Sequence, residues 1–221
     1  RSALEPLQAA WPFDVIPHGY KIKFMPRGTA SVATIDASEL GCTAGTDKPG
    51  VRITASREMD SQLPRKVLVS YLDANREYDL NTGPGAERLS TDAINVEQIE
   101  LPIVMNASAA AQAEEVLLYL RWLERHDLSF TLPPTYAYLE VADIITITDV
   151  AATYELRLAQ INYRPDGRLE GTAKFNNAAT YTSSAVAQEA LSPIQVLSYG
   201  GASLLQLLDI PCVDSTVMNA P

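Results

Sequence analysis

Apolar and polar positions alternate with a period of two along much of this chain, and one segment switches to the helical period. Tyr20-Lys21-Ile22-Lys23-Phe24 alternates apolar with cationic residues, which predicts a half-exposed strand because successive strand side chains point to opposite faces. Pro26-Arg27-Gly28 supplies turn chemistry, and residues 32–35 are expected to return beside that strand as a hairpin. A small, polar, Gly-rich loop covers residues 41–50, residues 51–55 alternate again, and Leu63-Pro64 breaks the pattern.

Val67-Leu68-Val69-Ser70-Tyr71-Leu72 is apolar at both phases, the signature of a strand covered on both faces. Asp73-Ala74-Asn75 connects it to a more polar strand around residues 77–80, which Gly83-Pro84-Gly85 stops. Ile94 and Val96 keep one phase while Ile99, Leu101 and Ile103 keep the other, so a bulge is expected near Glu97-Gln98. Residues 107–125 then read as a helix: Asn106 is a suitable N-cap, and Ala113, Val116, Leu117, Leu120 and Leu123 share one face. Burying the four larger of these is worth at most roughly 8 kcal/mol, enough to anchor a helix across a sheet. Arg121 and Arg125 suit the negative end of that helix.

Leu128, Phe130 and Leu132 alternate as a strand that Pro133-Pro134 ends, and residues 144–148 form a β-branched run. Tyr154, Leu156 and Leu158 alternate up to Arg164-Pro165-Asp166-Gly167, a hairpin turn signal, with Leu169, Ala173 and Phe175 on the return strand. One more strand or a short helix is expected over residues 203–210. Together these patterns predict an α+β fold, mostly β, with a single long helix. The expected organisation is a strand-rich segment over residues 1–62, an α+β domain over 63–148, and a hairpin segment over 149–221.

Composition adds constraints. The 221 residues suffice for a sizeable core, and 47% hydrophobic with 20% charged residues is ordinary for a globular protein. A formal net charge of −10 opposes binding to phosphate backbones or anionic lipid, and no apolar run is long enough to span a bilayer. Cys42 and Cys212 have no neighbouring Cys or paired His; two buried thiols are preferred to one long-range disulfide. The chain opens on Arg1-Ser2-Ala3 without a signal-peptide pattern, and it is expected to be a window of a longer protein.

Catalytic chemistry finds little support. His18 and His126, the two histidines, lack ligand-spaced partners, so surface or structural roles are expected for both. A nucleophile elbow, a P-loop and a dinucleotide fingerprint are all missing. The acidic loop at residues 73–79 lacks the Gly and distal Glu of a calcium loop and is expected to be a solvated connection. Among the carboxylate pairs, Glu114/Glu115 are expected on the wet side of the helix, and Asp36/Glu39 alone do not make a glycosidase. Tyr119 and Trp122 are expected to pack against a sheet or a neighbouring subunit. Catalytic, cofactor-binding and metal residues are therefore predicted as none.

The order of elements becomes specific from Leu63 onward. Leu63-Pro64-Arg65-Lys66-Val67-Leu68-Val69-Ser70-Tyr71-Leu72-Asp73 with Tyr78 is followed by Ile99-Glu100-Leu101-Pro102, an Ala/Glu-rich helix ending in Trp122-Leu123-Glu124-Arg125, and Phe130-Thr131-Leu132-Pro133-Pro134. This succession resembles phage tail proteins, among them the tip attachment (host specificity) protein J family and the large "megatron" hub of gene transfer agents. The family pattern next has Leu-x-Pro-Gly-Asp; this chain has Leu139-Glu140-Val141-Ala142-Asp143, without the Pro and the Gly. The hairpin over residues 154–175 and Leu207-Leu208-Asp209-Ile210-Pro211 also resemble the family.

The resemblance implies a hub of small β-barrel-like and α+β domains, three copies forming a ring that closes the tail tube at its tip. It implies a virion protein made in the bacterial host cytoplasm, with itself, the distal tail protein and the tape measure or central tip components as partners. Neither a cofactor nor catalytic residues come with it. Self-association would draw on apolar surface beyond one core, with Val67, Val69, Tyr71, Tyr119 and Trp122 as interface candidates. Two alternatives are a receptor- or carbohydrate-binding module, supported by the ten tyrosines, and a tail-borne cell-wall hydrolase, which would need convergent acids or a nucleophile–base pair.

Overall fold

The computed structural model describes residues 4–41, 52–150 and 152–189. The expected class is found: α+β, mostly β, with one long helix. Cys42, Cys212, most of the 41–50 loop and the element expected at residues 203–210 lie outside the described residues.

A short helix α1 (Glu5–Ala10) leads into a hairpin of β1 (Phe13–His18) and β2 (Lys21–Pro26), whose pairing runs from Phe13 opposite Pro26 to His18 opposite Lys21. The sequence pattern located β2 but paired it wrongly. Residues Ala33–Asp36 form β3, which pairs in parallel with β10 (Ile144–Thr148) instead of returning beside β2. The turn at Gly28 exists, but it sends the chain toward a β-branched strand more than a hundred residues away. Local turn chemistry carries no information about such a partner.

Two further sheets carry the cores. Six strands run in the order β3, β10, β11 (Thr153–Tyr163), β12 (Leu169–Phe175), β9 (His126–Leu132) and β4 (Ile53–Arg57). All pairs except β3 with β10 are antiparallel. Ile35, Leu128, Phe130, Ile145, Ile147, Leu156 and Leu158 fill its core. The sheet is open among the described residues, where the sequence resemblance implied a small barrel. Strands β9 and β10, inside the segment expected as a separate domain at 63–148, hydrogen-bond into this sheet.

The other sheet centres on β5 (Pro64–Asp73), with β6 (Leu80–Thr82) and β7 (Ala86–Glu87) antiparallel along one edge and β8 (Asn95–Met105) parallel along the other. The expected polar strand at 77–80 begins only at Leu80, because residues 74–78 are spent on the turn. The register of β8 against β5 is continuous through Glu97 and Gln98, so no bulge lies there. The irregularities fall at Asn95/Val96 and between Glu100 and Val104. The second contains Pro102, which has no N–H to give to the ladder.

Helix α2 (Ala107–Leu123) crosses one face of this sheet, and the Asn106 side chain caps it by accepting a hydrogen bond from Ala109 N at 2.7 Å. Small residues such as Ala110 and Ala111 let the helix approach closely; Leu118 and Trp122 fill the space over Val67 and Leu63.

Between a 3-10 turn at Pro134–Tyr136 and β10, the chain turns through Ala142, whose φ is +71°. This is the position where the family pattern has Gly. A left-handed backbone costs an L-residue about 1–2 kcal/mol, offset in part by the greater unfolded entropy of Gly. Ala142→Gly is therefore expected to stabilise the fold by about 0.5–1 kcal/mol, read as a higher urea midpoint with unchanged m-value. A lower midpoint would show that the buried Ala142 methyl outweighs the strain.

Candidate functional site

The interface candidates chosen from sequence are mostly used inside the chain. Val67, Val69, Tyr71 and Trp122 are buried, and Trp122 donates its indole N–H to the Pro64 carbonyl at 2.9 Å with the Arg88 guanidinium over its ring. Of the five, Tyr119 alone stays exposed, at 46%.

Glu114 departs most from expectation. Instead of facing water it is fully buried beneath α2, where Oε1 accepts from Val69 N at 2.9 Å and Oε2 from Gly85 N at 2.8 Å. Burial pushes its pKa up, against the pull of these two donors and the nearby Lys66. Gly83 is part of the fit, since a β-carbon there would lie 2.3 Å from Glu114 Oε1. Glu115 instead binds Ser183 in an extended segment along the outer side of α2, which Gln112 holds through the Ala185 carbonyl at 3.2 Å.

A second polar cluster joins three parts of the molecule and was not singled out from sequence. Arg27, just past β2, grips Asp14 of β1 with Nε at 3.1 Å and Nη2 at 2.8 Å. Arg157 of β11 reaches Glu124, at the end of α2, at 2.7 Å and Asp14 at 3.3 Å; Arg27 also reaches Glu124 at 3.2 Å. Burial disfavours the Arg27 charge, but the hydrogen bond and charge of Asp14, with Glu124 behind it, outweigh this and raise its pKa. The arrangement fastens the β1–β2 hairpin to α2 and to the six-stranded sheet. Farther out, Glu140 meets His18 at 2.7 Å and Lys23 at 3.6 Å.

The remaining sequence candidates take structural positions. His126 opens β9, edge-on to the Phe175 ring, and burial, with Arg125 and Arg57 nearby, lowers its pKa. Asp36 caps a 3-10 turn through Ser38 N, and Glu39 accepts from the Tyr136 hydroxyl at 2.7 Å, lifting that phenol to about 12. In the 73–79 loop, Asp73 is buried and accepts from Asn75 N and Asn81 Nδ2. Among the described residues no three His, Cys, Asp or Glu side chains converge as a metal site, and no helix is long and apolar enough to cross a membrane. The acids that do gather are matched to arginines or backbone N–H groups, an arrangement that holds segments together.

The family model described as "Putative phage tail protein" matches residues 1–161. The chain belongs to this family of phage tail proteins. The structure of the tail protein is similar to a chain in the "Virion of native gene transfer agent (GTA) particle", with TM-score 0.76 and 17% identity over 86% of this chain and 42% of that one. It is also similar to the tail protein from Neisseria meningitidis MC58, with TM-score 0.50 and 11% identity over 80% of this chain and 54% of that one. At these identities the likeness is one of fold, and this chain spans about half the length of the chains it matches. No curated protein matches it in sequence. In this tail protein, then, the conspicuous polar groups fasten strands, helix and hairpin to one another.

Proposed function

We propose that this tail protein is a non-catalytic structural subunit of the tail-tip or baseplate hub. Three copies form a ring that closes the distal end of the tail tube. The ring joins the distal tail protein on one side to the tape measure or central tip components on the other. The observation that carries this reading is the fold likeness to a gene transfer agent virion chain over 86% of the residues. The order of motifs from Leu63 to Pro134 supports it independently. Within the ring, residues 63–123 would act as an α+β unit set into the strand-rich part built from both ends of the chain. The expected 63–148 segment is then best divided after α2.

A symmetry-free reconstruction of the intact particle, with the chain located by a fused tag, tests the reading. Three copies around the axis at the distal end are expected. Six copies, or a single copy on a side fibre, would overturn it.

A further inference from the structure

Arginines outnumber acids in a cavity of about 550 Å³ at the C-terminal end of α2. Arg57 ends β4, Arg88 follows β7 and Arg125 follows α2, so three segments far apart in sequence each bring a guanidinium to it. The acids that line it are Asp60, at the start of a 3-10 turn (Asp60–Gln62), and Asp92 at the exposed rim. Three positive charges therefore face two negative ones, in a protein whose formal net charge is −10.

The pairing inside this pocket is uneven. Asp60 Oδ1 accepts from Arg57 Nη2 at 2.7 Å and from Arg125 Nη1 at 3.1 Å. The Arg57 hydrogen bond, opposed by desolvation and aided by the charges of Arg57, Arg125 and Arg88, holds the Asp60 carboxyl below its ordinary value. Arg88 has no such partner. Among the described residues its Nε is closed off from solvent without an acceptor, and an unsatisfied buried donor is uncommon enough in a folded protein to call for an explanation. Arg88 lies instead against the Trp122 ring, 4.4 Å from its centroid, with the Arg125 guanidinium 5.6 Å from the same centroid. Stacking engages the flat face of a guanidinium and leaves its N–H edge, the part that grips an oxyanion through two parallel bonds, for a ligand. Thr91 adds a donor, because its hydroxyl oxygen accepts from Ala93 N at 3.1 Å and its proton is left to give.

From this uneven pairing we infer that the pocket binds the carboxylate of an acidic side chain presented by a partner protein segment, with Arg88 as the principal contact. One added negative charge balances three arginines against two aspartates, and a multiply charged phosphate would overshoot that balance. The cavity is far larger than a lone ion needs, since a water molecule takes about 30 Å³. It has room for a side chain and the backbone behind it, and Leu89 on its lining, 79% exposed, offers that segment an apolar contact. The site does not depend on the ring proposed above, so the two readings can fail separately.

The test uses the full chain carrying Trp11→Phe, which leaves Trp122 as its sole tryptophan and makes the emission a report on the pocket. Three probes are titrated: the peptide acetyl-Ala-Glu-Ala-amide, its Gln counterpart, and inorganic phosphate. The Glu peptide is expected to bind at least tenfold more tightly than either other probe, and to weaken as salt is added. Arg88→Gln should lower that affinity at least tenfold with a nearly unchanged melting temperature, because the side chain holds no hydrogen bond within the fold. Arg88→Lys keeps the charge but loses the fork, and should fall between. Equal binding of the Glu and Gln peptides, or no response to either, would overturn the inference. Phosphate binding as tightly as the Glu peptide would overturn it too, in favour of a site for a free ion.

Discussion

Arg157→Met is expected to lower the unfolding free energy by about 3 kcal/mol and to loosen the β1–β2 arm. The Arg157 side chain, 9% exposed, donates to Glu124 and Asp14 from the middle of the six-stranded sheet. Removing one member of a buried ion cluster leaves its partners' charges uncompensated, which typically costs about 3–5 kcal/mol. The low end applies here, because Asp14 and Glu124 keep 18% and 22% exposure and Arg27 still bridges them. Urea unfolding measures the loss, and faster hydrogen exchange over residues 13–26 would show where it is felt. The exposed Arg65–Glu87 pair is the control, and Arg65→Met should change little, as surface pairs usually do. A loss for Arg157→Met no larger than that control would mean that apolar contact, such as buried Ile16, anchors the arm instead.

The elements that could be read from sequence are those whose partners are supplied by their own pattern. Leu128, Phe130 and Leu132 alternate because every second residue enters the core, and Ile144–Thr148 is β-branched because it lies in the middle of that core. Asn106 and Gly167 mark ends through chemistry confined to a few residues. What stayed hidden depends on distant positions. Strand β1 contains Pro17 and has no clean alternation of hydrophobicity, and its role as the partner of β2 appears only when Phe13 is set against Pro26. The arginine cluster draws on residues 14, 27, 124 and 157, which no spacing rule connects. For Glu114 a signal was present. It shares a stripe with Ala107, Ala110, Ala111, Leu118 and Trp122, all of them buried. The neighbouring stripe through Val116 and Leu120 is buried as well, so α2 is covered on two sides, and the larger side chains drew attention to the stripe without the acid.

Glu114→Ala is expected to destabilise the fold by about 2–6 kcal/mol. It removes the acceptor of Val69 N and of Gly85 N together, and each buried donor left unpaired costs about 1–3 kcal/mol. Water entering from the adjoining cavity of about 350 Å³, which Leu118 and Tyr119 also line, would hold the loss toward the lower end. Glu114→Gln keeps one acceptor but turns an NH₂ toward a donor, so an intermediate loss is expected. The pH dependence separates the carboxyl group from its shape. The folded-state pKa of Glu114 is raised by burial above its ordinary value of 4.5, so the folded protein holds this proton more tightly than the unfolded chain. Its contribution is therefore complete below that ordinary value and is lost as the pH rises through the higher folded one. Between those two points wild-type stability should fall with pH more steeply than that of Glu114→Gln, which has nothing to titrate there. Parallel curves for the two proteins would show that the Val69 and Gly85 N–H groups fully offset the cost of burying the charge.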